Sequence, residues 1–310
     1  MRRRRRYKPE VPLLEVRSLL VARFGGVTDL VALRGGEISQ AFAFCAAGQD
    51  YIVRFNRSSA GFTHDQYAWQ HYASPALPIP RVLEIGQTGE LHYCISERVP
   101  GTDLWSLPEA EHRRLLSLAL DTLDDIHAID VHGTTGYGEG GAPGVGRYPS
   151  WQQYLAATVE HAMAVGEEEP ERAFAVDGPL RLRAAEEVLR LAPACPEQRW
   201  LLHGDYGYDN VLTDGQRITG VIDWANAGYG DYLCDVSWLG FWPVGRDTTD
   251  ELRQRYGSAA EAANYDERIT CYQCLIGLGA LGFFARAGRE QAYGWVQERL
   301  RGILAALPET

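Results

Sequence analysis

Lysine is almost missing from this chain: among 310 residues, Lys8 is the only one. A phosphate-binding P-loop closes its glycine run with Gly-Lys-Ser/Thr, and a single lysine at position 8 provides no such triplet. P-loop kinases and ATPases are therefore excluded. The run MRRRRRYKPE places Lys8 in an expected N-terminal tail, which also argues against a lysine Schiff base. Long apolar runs are lacking too, and none approaches the roughly 20 residues of a membrane span. The charged opening imitates a signal peptide, but Glu15, Arg17 and Arg23 interrupt what should be its apolar core. A cytoplasmic protein with no membrane partner is expected. Cysteine is sparse: the six lie at 45, 94, 195, 234, 271 and 274. Only Cys271 and Cys274 form a Cys-x-x-Cys, no second pair or nearby His completes a zinc set, and YQCLIGLGALGFF around them reads as buried helix. No disulfide framework is indicated.

What is abundant is negative charge. The net charge is −11, and residues 1–10 contribute +5 from five Arg, one Lys and one Glu, so the remainder carries −16. An acidic body disfavours nucleic acid as the main partner and suits a cationic small molecule. The arginine run reads as a solvated start.

Local patterns divide the chain. LLEVRSLLVARF (13–24) has apolar residues at helical spacing. DLVALRGGEISQAFAFCAAGQDYIVRFNRS reads as three antiparallel strands with glycine turns, FTHDQYAWQHYAS as a helix, and LPIPRVLEIGQTGELHYCISERVPG as two further strands. From EAEHRRLLSLALDTLDDIHAI the pattern turns helical, with Leu115, Leu116, Ala119, Leu120 and Leu123 along one face. SWQQYLAATVEHAMAV, PLRLRAAEEVLRLA and most of 247–308 continue it. The glycine-rich GTTGYGEGGAPGVGR does not sit between a strand and a helix as a phosphate cradle must, and reads as a surface loop. The expected fold is α+β and bilobal. A small antiparallel-sheet lobe (1–96) precedes a hinge (97–101) and a larger, mainly helical lobe (102–310), with a cleft between them as the usual place for a ligand.

The chemistry concentrates in RWLLHGDYGYDNVLTDGQRITGVIDWANAGYGD (199–231). Asp214-Gly215 separates two β-forming runs and marks a hairpin. That hairpin sets Asn210 just before its first strand and Asp223 at the end of its second, on one side, with Asp205 on the loop leading in. Mg²⁺ takes few protein oxygens of this kind and leaves its other positions to water and phosphate.

His203-Gly204-Asp205, Asn210 and Ile222-Asp223 resemble the catalytic segment of the aminoglycoside phosphotransferases, which share the protein-kinase fold. That resemblance implies ATP (or another nucleoside triphosphate) and Mg²⁺ as cofactors, Asp205 as acceptor of the substrate hydroxyl proton, and Asn210 and Asp223 as metal ligands. GDYLCDVSWL resembles a further family motif with Tyr232 in place of Pro, making Asp231 and Asp235 structural supports. Blocks between about 28 and 243 extend the likeness to the hygromycin-type branch, which implies phosphorylation of a cationic aminocyclitol antibiotic; a monomer is expected.

Arg54 stands where the family usually has its phosphate-contacting lysine, and Asp65 where it has the partner Glu; hygromycin-type members also carry Arg there. Ser39 is a candidate phosphate contact, with plain turn chemistry as the other reading. Backbone groups around Glu97 and Val99 are placed to read adenine between apolar walls. Asp209, Trp238 and Trp242 are candidate substrate contacts, although core packing is the commoner task of such tryptophans. Two other functions stay open: a same-fold kinase for another hydroxyl, such as a macrolide sugar or choline-like alcohol, and a nucleotide-binding regulator without phosphotransfer.

Overall fold

In QDYIVRFN, Tyr51, Val53 and Phe55 alternate with Ile52, Arg54 and Asn56, a period of two that commits one strand face to a core. The computed structural model describes residues 8–33, 36, 38–164, 176–242, 247–258 and 260–307. The run Arg2 to Arg6, read as a solvated start, lies outside them. Helix α1 (Leu13–Phe24) leads into a five-stranded antiparallel sheet of order β1-β2-β3-β5-β4. Its strands are β1 (Thr28–Ala32), β2 (Gln40–Ala46), β3 (Gln49–Asn56), β4 (Val82–Thr88) and β5 (Leu91–Glu97), with α2 (Ala60–Tyr72) between β3 and β4. Val16 and Leu20 of α1 bury against Phe42, Phe44, Tyr51, Val53, Phe55 and Ile95 on one sheet face. Phe62 of α2 packs with Val82 and Cys94 on the other.

The chain continues through β6 (Thr102–Asp103), α3 (Glu109–His127), α4 (Trp151–Ala164), α5 (Gly178–Leu191), β7 (Trp200–Leu202), β8 (Val211–Thr213), β9 (Ile218–Val221) and β10 (Gly228–Gly230). Helices α6 (Leu233–Phe241), α7 (Thr249–Tyr256), α8 (Tyr265–Ala287) and α9 (Glu290–Ala305) complete it. The fold is thus the expected α+β, a sheet-rich first part followed by a mainly helical one. Two compact units are present. The first holds the residues up to Leu107 together with Arg114–Thr122 and Asp209–Asn226; the second holds Pro108–Arg113, Leu123–Tyr208 and the residues from Ala227 onward. A cut at 97–101 in sequence order does not capture the return of the β8–β9 hairpin to the first unit. That hairpin is fastened there by a short strand pairing and two further hydrogen bonds: Thr102 and Asp103 pair with Thr213 and Leu212, Thr219 Oγ1 donates to the Pro100 carbonyl at 2.7 Å, and the Val221 amide donates to the Pro78 carbonyl at 2.8 Å.

In the second unit, α8 is the central helix. Cys271, Tyr272, Cys274, Leu278 and Leu281 are fully buried, among side chains such as Val188, Leu239 and Val296. By length and composition α8 is long and apolar enough to cross a membrane, which counting uninterrupted apolar runs had not disclosed; 61% of its apolar window is buried inside the unit. All six cysteines are free. The glycine-rich segment is more than a surface loop. Bridges Tyr137–Tyr148 and Gly138–Tyr229 knit it to itself and to β10, and Arg199 donates to the carbonyls of Thr134 and Gly136 at 3.0 Å each.

Candidate active site

Strand alternation turns Arg54 away from the α1 core and toward α2. There its guanidinium donates to Asp65 Oδ2 at 2.5 Å, lies 5.3 Å from the Phe62 ring centre, and has Asp223 Oδ1 3.8 Å away. The other Asp65 oxygen, Oδ1, accepts the backbone N–H of Trp224 at 2.8 Å. Burial works against the Arg54 charge, but Asp65 and then Asp223 outweigh it and hold the guanidinium above its ordinary value. For Asp65, burial pushes the carboxyl up while Arg54 and the Trp224 amide pull it down. With a donor on each oxygen, the ionised carboxylate is the form this geometry holds. Arg54, Asp65 and Asp223 are therefore brought together directly.

The hairpin supplies the remaining oxygens. Val211 pairs with Val221, and the Ile222 amide donates to the Asn210 carbonyl at 3.0 Å, so Asn210 and Asp223 flank the open end of one ladder. Asp223 adopts φ 64°, a left-handed backbone that β-branched or bulky residues avoid and Asp tolerates. Asn210 is buried, while the Asp223 side chain is 48% exposed. Among the described residues no group of three or more His, Cys, Asp or Glu could hold a metal. A pair of one amide and one carboxylate oxygen nevertheless fits Mg²⁺, which keeps several waters and takes phosphate oxygens from its substrate. Asp209 is exposed as a residue, yet its carboxyl is raised, first by lost hydration and then by the nearby Asp103 and Asp223 charges.

Ser39 accepts a hydrogen bond from Asn56 Nδ2 at 3.0 Å, and Asn56 lies on the same β3 face as Arg54. The Glu97 amide is taken by the Arg81 carbonyl at 2.9 Å; among the described residues no hydrogen bond claims the Val99 amide. Gly101, at φ 120°, lets this linker lie on the hairpin: a Cβ there would come within 2.3 Å of the Thr213 carbonyl oxygen. Lys8 is not in a free tail. Its Nζ donates to the Gly36 carbonyl at 3.1 Å.

Asp205 belongs to the second unit. Strand β7 is followed by His203 and Gly204, whose amides both donate to the Asp235 carboxylate at 2.9 Å. Gly204 takes φ 76°, the bend that glycine accepts without strain. Asp235, 1% exposed, also meets His127 Nε2 at 3.3 Å, so it acts as the clamp of this loop. Asp231 is fully buried and bound by Arg268 and by the Tyr272 hydroxyl, which accepts from Trp151 Nε1 at 2.9 Å. Arg268, some forty positions away on α8, was not legible as its partner. Trp238 and Trp242 lie 6.1 Å apart between ring centres. Trp242 also stacks on Trp295 at 5.3 Å and 16°, and its Nε1 is buried without a hydrogen-bond partner among the described residues. Trp295 is 42% exposed and stands in no motif, so only the fold reveals it.

Comparison with known proteins agrees with this frame. The phosphotransferase enzyme family matches residues 29–269. Hygromycin-B 4-O-kinase of Escherichia coli is 35% identical over 302 residues, covering 96% of this chain and 86% of that protein. A crystal structure of aminoglycoside phosphotransferase APH(4)-Ia, a thermostable mutant in ternary complex with ADP and hygromycin B, superposes with a TM-score of 0.83 at 34% identity, over 96% of this chain and all of that one. The GDP complex of an aminoglycoside 2'-phosphotransferase-IIIa shares the fold at 16% identity, with a TM-score of 0.68 over 95% of this chain and 99% of that one. On the extent of these matches, the chain belongs to the phosphotransferase enzyme family.

Proposed function

We propose that this chain transfers the γ-phosphoryl group of ATP to a hydroxyl of an aminocyclitol antibiotic, with hygromycin B as the favoured acceptor. The observation that carries the reading is the ordered row Arg54–Asp65–Asp223 beside Asn210, a cation and metal-type oxygens arranged for a triphosphate. The acceptor is supported by the 35% identity to a hygromycin-B 4-O-kinase across nearly the whole chain.

In this reading Arg54 pairs with the α- and β-phosphates, and the Glu97 carbonyl and Val99 amide meet the adenine edge. Asn210 and Asp223 would hold Mg²⁺, which supplies charge neutralisation at the β- and γ-phosphates. Asp205 accepts the proton of the acceptor hydroxyl as its oxygen bonds to the γ-phosphorus and the bond to the ADP oxygen breaks. Asp235 holds the two amides ahead of Asp205 and so fixes the direction of that carboxylate. Catalysis here is mainly positioning and charge stabilisation. Asp209 and the Trp242–Trp295 stack serve the antibiotic, with ammonium groups meeting carboxylates and ring faces. Trp238 neighbours that stack. The net charge of −11 suits a polycationic partner, and the enzyme works as a cytoplasmic monomer.

An ATP-dependent phosphorylation assay against a panel of aminoglycosides, read as an 80-dalton mass gain (about the mass added by one phosphoryl transfer), tests the reading. Hygromycin B is expected to be modified and kanamycin-type compounds poorly so. Transfer to kanamycin or a macrolide with none to hygromycin B keeps the chemistry and overturns the acceptor. No transfer to any alcohol overturns both.

A further inference from the structure

In the first unit, the linker from β5 to β6 is fastened on both sides of one unclaimed donor. The Glu97 amide donates to the Arg81 carbonyl at 2.9 Å, and the Arg98 amide to the Asp50 carbonyl at 3.0 Å. The Pro100 carbonyl accepts from Thr219 Oγ1 at 2.7 Å, and Thr102 pairs with Thr213. Between these, among the described residues, no hydrogen bond claims the Val99 amide. The side chain of the same residue rests on Gly220 of β9. A Cβ on that glycine would stand 2.8 Å from Val99 Cγ1 and 3.2 Å from both its Cβ and its Cγ2. Gly220 pairs across the hairpin with Leu212, two positions after Asn210, and itself lies three positions before Asp223.

From this we infer that Gly220 and Thr219 are positioning residues for the nucleobase. They set the height of the Val99 amide toward a ring-nitrogen acceptor and tie it to the hairpin that carries Asn210 and Asp223. The inference rests on the nucleotide reading proposed above and adds a frame to it: the base end and the metal end are gauged from one pair of strands. The close approach requires glycine. Valine is stiff about χ1, and its Cβ and both γ carbons face Gly220, so no rotamer clears an added methyl group. Val99 would have to withdraw by about 0.7 Å to bring its nearest carbon to ordinary contact. A hydrogen bond of usual length stretched that far no longer counts as one. With its neighbours already bonded, the amide is in place before a ligand arrives, and binding costs little ordering.

A double-mutant cycle between Val99 and Gly220 tests this. Affinities for adenosine and for magnesium tripolyphosphate are measured by calorimetry, and the ATP KM by steady-state phosphorylation of hygromycin B. Gly220→Ala is expected to weaken adenosine binding and raise the ATP KM, each about tenfold, the scale of one hydrogen bond. Tripolyphosphate, which has no base, should bind within about twofold of the parent by the same scale. Val99→Ala added to Gly220→Ala removes the γ carbons and should return the ATP KM to within about threefold of the parent. Thr219→Val leaves Gly220 in place and deletes the bond to Pro100, so adenosine affinity should fall about threefold. That variant decides the matter if Gly220→Ala does not fold. A parent-like ATP KM in Gly220→Ala, equal losses for adenosine and tripolyphosphate, or no recovery in the double variant overturns the positioning role and leaves the nucleotide reading intact. So does parent-like adenosine affinity in Thr219→Val. A parent protein that binds neither adenosine nor ATP removes both.

Discussion

Among the described residues no charge answers the Glu139 carboxyl, and replacing it with glutamine should stabilise the protein in a pH-dependent way. It sits in the glycine-rich segment whose bridge to Tyr229 ties it to β10, and a Cβ on Gly228 would come within 2.9 Å of its amide nitrogen. Half-buried by surface area, Glu139 still has its carboxyl almost wholly desolvated, and this pushes its pKa from 4.5 up to about 7. A folded-state value above the unfolded one means that the folded protein binds the proton more tightly. Stability therefore falls as pH rises from 4.5 through 7 and levels off above it. A gap of this size corresponds to about 3 kcal/mol once both states are ionised, and between pH 5.5 and 8 it widens by about 2 kcal/mol. Glutamine fills the same space and never ionises. Glu139→Gln should therefore exceed the parent in Tm by an amount that grows by about 4–8 °C between those pH values, taking 2–4 °C per kcal/mol for a unit of this size. Thermal unfolding followed by circular dichroism at pH 5.5, 6.5, 7.5 and 8, at fixed ionic strength, measures it. A Tm difference that does not change with pH, or one that shrinks as pH rises, would refute the reasoning.

Asp205→Asn should leave ATP affinity within about twofold while kcat falls by about 10²–10⁴, since only the proton acceptor is lost; steady-state kinetics with calorimetry separates the two. Arg54→Lys replaces a planar fork that faces Asp65 and Asp223 with one point charge. Its ATP KM should rise about tenfold, although the positive charge is kept, and an unchanged KM would show that the phosphates do not meet Arg54. Trp242→Ala should raise the hygromycin B KM about tenfold with little change for ATP, and hygromycin binding should weaken with salt, because the acidic body's field is screened over about 8 Å at physiological ionic strength. Equal increases in both KM values would assign Trp242 to packing alone.

The frame of the site was legible because it depends on short-range rules. Alternation in QDYIVRFN placed Arg54 opposite the core, and Asp214-Gly215 set the register that brings Asn210 and Asp223 to one end of a hairpin. The Arg54–Asp65 pair followed from matching a strand and a helix to a known pattern. What stayed hidden depends on contacts distant in sequence. Nothing near Asp231 indicates Arg268, and nothing near Trp242 indicates Trp295. The glycine-rich segment reads as solvent-facing because its composition reports flexibility, not the strand bridges and the arginine that fasten it. Lys8 was misplaced for a related reason: five arginines beside it set the character of the stretch, while buried Pro9 and Val11 set its location.

Asp65 has a consequence for control. Protein kinases switch off by drawing the acidic partner on their regulatory helix away from its basic residue. Here the same carboxylate also holds the amide of Trp224, directly after Asp223, and Gly61 of α2 packs so closely on Ala225 that a Cβ there would stand 2.9 Å from the alanine Cβ. Helix α2 cannot swing aside without releasing both the arginine and the segment that carries Asp223. The helix and the Asp223 segment are therefore one mechanical piece, and a displacement of either is felt by the other.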